Sequence, residues 1–242
     1  MEPSTFSGLN LSLLVMQNIG NLVILRQNLL SASSDVIVDE VKVENCGLVE
    51  VEDDVMEGAT HLQFVSFAQN RLKLIPNLSS SSLSKLTHLK LSDNEIVSVR
   101  PLKNMPNLKQ LFLQNNRIVT ISHTAFLTTP LLDDLDLSHN HITLIDPTAL
   151  THLVQLKTLS INSNRLHHVV WEELPWKGPV QGGDLMEVRL YDNPWNCTCF
   201  NSFLVERSST VQLYSDSSAI DTDGNMTSET TNLLLATVRE WN

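Results

Sequence analysis

In this 242-residue chain the residues able to do chemistry are eight histidines, three cysteines and a run of carboxylates. Their spacing decides which reactions are open to them. His139 and His141 in Ser-His-Asn-His-Ile, and the neighbours His167 and His168, are histidine pairs of the kind that suggests a metal. A zinc centre needs about four converging ligands. His139 and His141 instead stand on either side of one asparagine in a turn, point different ways, and read as surface loop residues. Cys197 and Cys199 joined by a histidine would face the same requirement. Asp133, Asp134 and Asp136 belong to a strand edge and read as a wet, charged surface. With no nucleophile motif, phosphate loop or paired-acid arrangement in a recognisable context, the sequence predicts a protein that is not an enzyme and uses neither cofactor nor metal.

What positions these side chains is a repeat. Between Leu108 and Leu166 one eleven-residue pattern returns three times, as LKQLFLQNNRI, LDDLDLSHNHI and LKTLSINSNRL, aligned on Asn116, Asn140 and Asn164. Branched apolar residues fill the first, fourth, sixth and last positions, and the interval of about 24 residues falls in the leucine-rich-repeat range. Alternation such as Leu135, Asp136, Leu137 has period two, which predicts a short strand with one buried and one wet face. A buried asparagine after that strand is costly unless paired. Its amide both donates and accepts, so asparagines at one height in successive coils are predicted to form a ladder on neighbouring backbone. Burying the aliphatic side chains of one coil stabilises it by less than ordering its backbone costs. Coils must therefore stack and share a core.

The pattern extends upstream through Val38, Val41, Val43, Cys46, Leu48, then Leu62, Val65, Phe67, Asn70, Leu72, then Leu86, Leu89, Leu91, Asn94, Ile96. Cys46 occupies an asparagine slot and reads as a small buried thiol, with a disulfide or catalytic role as the alternative. Residues 1–35 fit a degenerate first repeat or N-terminal cap, on either of two templates. Leu14, Ile19, Leu22 and Ile24 have the right spacing without an asparagine, whereas Gly20, Val23, Leu25, Asn28 and Leu30 match the pattern but lie too close to the next coil. Return segments carry helix-start signals, Ser122 and Asp146-Pro147, and predict helices of one or two turns at most. Ser79–Ser84 reads as a polar loop. Trp171 and Trp176, in a long return segment broken by Pro175, Gly178, Pro179, Gly182 and Gly183, read as packing anchors, with a binding hot spot as the alternative.

The third, fifth and seventh residues of each coil face outward from parallel strands about 4.8 Å apart and form columns on a concave sheet. Reading those columns gives Phe64, His88, Lys90, Phe112, Asp134, Asp136, Arg189 and Tyr191 as candidate ligand-binding residues. Phe64 and Phe112 flank Lys90, and the acidic pair lies one coil further on. Aromatic and charged groups on a rigid face are what protein interfaces use for anchoring and orientation.

At Asn193 the ladder runs into NPWNCTCF. Asn193, Pro194, Trp195, Cys197 and Cys199 resemble the start of the cysteine-containing C-terminal cap of extracellular leucine-rich-repeat proteins, a family that includes Toll-like receptors and Slit. The resemblance implies an α/β repeat fold: a right-handed solenoid, or horseshoe, of about seven coils with a parallel concave sheet and short convex helices or loops. It divides the chain into residues 1–35, repeats over 36–192 and a cap over 193–242. In the family each of the two cap cysteines pairs with a later cysteine, and none follows Cys199 here, so the expectation is an incomplete cap: a degenerate one, one cut short by an early stop, or one whose thiols a partner chain supplies. Trp195, Phe200, Phe203 and Leu204 have the spacing of a plug over the last coil.

Hydrophobic content of 42% excludes wholesale disorder, and aromatic content of 5% suits an aliphatic solenoid. A formal charge of −11 argues against a nucleic-acid partner. No apolar run reaches bilayer length and no secretory signal is visible. Sequons at Asn10, Asn77, Asn196 and Asn225 make glycosylation candidates of Asn10, Asn77 and Asn225, in a number that chance alone would supply. The expectation is an extracellular or cell-surface recognition module that binds a protein ligand or co-receptor, with a possible membrane anchor outside this chain. The alternative is a cytoplasmic scaffold, favoured by an odd cysteine count and the missing signal.

Overall fold

The computed structural model describes residues 12–26, 37–53, 55–78, 81–102, 105–167, 186–194 and, as backbone, 211–214. Each coil contributes one short strand to a single parallel sheet. Its strands, in spatial order, are β1 (Leu13–Gln17), β3 (Glu40–Glu44), β5 (Phe64–Ser66), β6 (His88–Lys90), β7 (Gln110–Phe112), β9 (Asp134–Asp136), β11 (Thr158–Ser160), β12 (Met186–Arg189) and β13 (Val211–Tyr214). Two small parallel pairs lie outside it, β2 (Ile24–Leu25) with β4 (Glu50–Val51) and β8 (Thr120–Ile121) with β10 (Leu144–Ile145). This is the leucine-rich solenoid that the repeat predicts.

Register follows the apolar alternation. Val41, Val65, Leu89, Leu111, Leu135, Leu159 and Val188 pair across successive strands and are all fully buried. A slip of one residue would expose the entire row. Strands are short because the chain turns at once: the residue before each ladder position has a left-handed backbone, at Asn45, Gln69, Asp93, Asn115, His139, Ser163 and Asp192, with φ between 52° and 58°. Asparagine and aspartate tolerate that region best. Asn18 repeats the feature after β1 at φ 57°.

The ladder is built as predicted. The Asn116 amide nitrogen donates to Leu91 O at 2.9 Å in the preceding coil and to Leu113 O in its own, while its oxygen accepts from Ile96 N–H at 2.9 Å. Asn70, Asn94, Asn140, Asn164 and Asn193 repeat the arrangement. Cys46 fills the corresponding slot as a free, fully buried thiol whose Sγ donates to Met16 O at 3.4 Å and Glu44 O at 3.2 Å.

The return segments differ from expectation. Ser122 and Asp146 open hydrogen-bonded turns, through Ala125 N–H to Ser122 O and Ala149 N–H to Asp146 O, and no α-helix forms among the described residues. Too few residues separate consecutive strands for helical hydrogen bonds to propagate past their nucleus. A 3-10 turn appears instead at Ser81–Lys85, overlapping the segment expected to be a polar loop. In the first coil neither template holds in full: Leu14, Met16 and Leu25 are buried, whereas Ile19, Val23 and Ile24 are exposed. Among the described residues no helix is long and apolar enough to cross a membrane.

Candidate recognition surface on the open sheet face

Parallel register makes two straight columns of the outward residues. One runs Leu13, Glu40, Phe64, His88, Gln110, Asp134, Thr158, Glu187; the other runs Val15, Lys42, Ser66, Lys90, Phe112, Asp136, Ser160, Arg189. Their centre is an alternation of cations and rings. Lys42 Nζ lies 4.9 Å from the Phe64 centroid, and Lys90 Nζ lies 5.6 Å from Phe64 and 5.5 Å from Phe112. All are within reach of the ring quadrupole. His88 leans on Phe64 with centroids 6.0 Å apart, and its Nδ1 sits 2.7 Å from Thr87 Oγ1.

The cations differ in how they are neutralised. Lys42 pairs with Glu40 at 2.8 Å, and Arg189 with Glu187 at 2.6 Å. Lys90 has no carboxylate partner among the described residues, and it is half-buried. Phe64 and Phe112 are likewise half-buried, each with the Lys90 ammonium over its ring.

Register places Asp136 beside Phe112 and Asp134 beside Gln110. Asp136 Oδ1 accepts from Ser138 N–H at 2.9 Å and from its hydroxyl at 2.6 Å. Burial holds the Asp134 carboxyl above the ordinary aspartate value, reinforced by repulsion from Asp136 and Asp133 and opposed by Arg189. Gln114 Oε1, on the coil that carries Phe112, is buried with no hydrogen-bond partner among the described residues.

Phe64, His88, Lys90, Phe112, Asp134 and Asp136 therefore share one patch over four adjacent strands, β5, β6, β7 and β9. Arg189 stands on β12, two strands beyond Asp136, with the half-buried Tyr191 just past it. Sequence reasoning passes over Lys42, although its column position one strand from Ser66 and diagonal to Phe64 is legible in the repeat. Asn77 is exposed. Asn10, Asn196, Asn225, Cys197, Cys199, Trp171, Trp176 and the cap plug lie outside the described residues. His139 and His141 are exposed loop residues, and His141 Nδ1 lies 3.1 Å from Asn140 O.

Comparison with known proteins agrees with the repeat fold. Residues 106–166 match the family described as Leucine rich repeat, and 84–125 match Leucine Rich repeats (2 copies). Toll-like receptor 9 of Mus musculus is 29% identical over 152 residues, covering 61% of this chain and 14% of that protein. Nephrocan of Mus musculus is 29% identical over 169 residues, covering 60% and 31%. Oligodendrocyte-myelin glycoprotein of Homo sapiens is 29% identical over 134 residues, covering 55% and 29%. The chain thus spans less than a third of each of these relatives. The crystal structure of a TLR13–ssRNA13 complex superposes with a TM-score of 0.63 at 21% identity, over 84% of this chain and 32% of that one, a likeness of fold.

Proposed function

We propose, from the premise that this chain is a leucine-rich-repeat protein whose relatives include extracellular ones, that it is a non-enzymatic recognition module binding a protein ligand through its open, concave sheet face. The same reading puts it outside the cell or at the cell surface. The observation that carries it is Lys90, a half-buried cation gripped by two aromatic rings and left without a carboxylate among the described residues. A solenoid sheet holds such groups in place before contact, so little entropy is lost on binding.

Charge alone does not decide the ligand class, since the TLR13 chain that shares this fold was crystallised in complex with ssRNA13. The test is a screen of the immobilised protein against an array of secreted and ectodomain proteins, with an oligonucleotide arm. Each hit is re-measured with Lys90→Glu and Phe112→Ala. Both substitutions are expected to weaken a protein ligand about tenfold or more with the circular-dichroism spectrum unchanged. Undiminished affinity in both variants would move the site off this face.

A further inference from the structure

Charge on the open face is divided along the solenoid. On β6 the Lys90 ammonium meets two ring faces and no carboxylate among the described residues, whereas its counterparts Lys42 and Arg189 are each paired with a glutamate on their own strand. Two strands on, Asp134 and Asp136 point from β9 beside Asp133, and Asp134 carries no side-chain hydrogen bond among the described residues. Burial raises the proton affinity of Asp134, and the crowding by Asp136 and Asp133 adds to it. Lys90 has lost part of its hydration without a carboxylate partner among the described residues, and the charge of Asp134 is only partly offset by Arg189, so each gains from an opposite charge supplied by a partner.

Resting on the reading above, we infer that the bound element is a dipolar protein segment, which sets an acidic side chain on Lys90 between Phe64 and Phe112 and a basic side chain between Asp134 and Asp136. From β6 through β7 to β9 is two strand steps, about 10 Å. Seven residues of α-helix rise about 10.5 Å and return to the same face. A helix carrying Glu at one position, Arg seven residues later and an apolar residue between them to cover Phe112 satisfies both poles. A uniformly anionic polymer such as nucleic acid would meet the Asp133, Asp134, Asp136 cluster with repulsion, which is why a protein segment is favoured.

The probes are three stapled helical peptides of equal length, with Glu and Arg, two Glu, or two Arg at the positions seven apart, together with a single-stranded oligothymidine. Each is titrated by fluorescence anisotropy against the full chain. The dipolar peptide is expected to bind about tenfold tighter than either uniform peptide. Lys90→Glu, which makes both poles acidic, should transfer the preference to the two-Arg peptide. Asp134→Lys with Asp136→Lys should transfer it to the two-Glu peptide. A merely structural role for these residues would lower all affinities together and leave the ranking intact. The inference is overturned if the native chain prefers a uniform peptide, if the variants keep its ranking, or if no peptide binds. It is also overturned if oligothymidine binds tighter than the dipolar peptide. Failure of the wider reading looks different: a protein ligand indifferent to both Lys90→Glu and Phe112→Ala.

Discussion

At the scale of single residues, the ladder separates two kinds of buried polar group. Truncating Asn116 to alanine leaves the Leu91 and Leu113 carbonyls and the Ile96 N–H to find new partners in a dry interior. A loss of about 3 kcal/mol is expected in urea denaturation. Cys46 presents the converse. Its Sγ reaches Met16 O, which corresponds to the carbonyl Val43 offers Asn70, but at 3.4 Å against 2.7 Å. Cys46→Asn should restore the missing rung and raise stability by about 1 kcal/mol, and a lower denaturation midpoint would show that the first coil cannot accept an amide. Most of this is legible in the sequence: the asparagines announce their own heights, and Cys46 is recognisable by the slot it fills. The left-handed residue before each rung is not, because Gln69, Asp93, His139 and Ser163 share no side-chain chemistry and only the backbone unites them.

At the scale of elements, two aspartates show how position on a strand or a turn sets the sign of pH dependence. Asp146 opens the turn after β10, where its Oδ1 accepts from Thr148 N–H at 2.9 Å and from the Thr148 hydroxyl at 2.8 Å. These bonds hold its carboxyl below the ordinary value, so its contribution is present above that value and lost as pH falls through the lowered one. Asp146→Ala should therefore destabilise at neutral pH, with the difference shrinking in acid. Asp134 on β9 behaves oppositely. Its native state holds the proton more tightly than the unfolded chain, so stability at this site declines as pH rises from the ordinary aspartate range through the raised value. Asp134→Asn is expected to stabilise the fold at neutral pH and to match the parent in strong acid, as read from urea midpoints across a pH series. The strand positions of these groups follow from period-two alternation. The turns read as helices in the sequence because Ser122 and Asp146-Pro147 are helix starters, yet the interval between coils leaves no room for elongation.

At the scale of the whole molecule, the sheet makes stability a property of neighbours. Each coil touches mainly the one before and the one after, so opening free energy is expected to be highest in the middle of the stack. Hydrogen exchange should find the amides of β7 and β9 slower than those of β1, and uniform protection from end to end would contradict that. The middle is also where the sequence is easiest to read, since Leu108–Leu166 repeats without interruption. The first coil is hardest: with no asparagine to mark its height, Ile19 fits the apolar template yet lies exposed, and Asn18 is the signal that places the turn. The proposed patch is legible as columns, but the lack of a carboxylate on Lys90 among the described residues is not, because it depends on which neighbouring carboxylates turn toward their own lysine.

The thiol at Cys46 also has a mechanical meaning. A pull applied to the two ends would load every seam in series, and the first seam, held by the β1–β3 and β2–β4 strand pairs, has a long sulfur contact where the later ones add an amide rung. In an optical trap the N-terminal turn should tear away first, as a small early extension at low force, leaving the remainder intact and a fresh surface lined by Val38, Val41 and Val43 facing water.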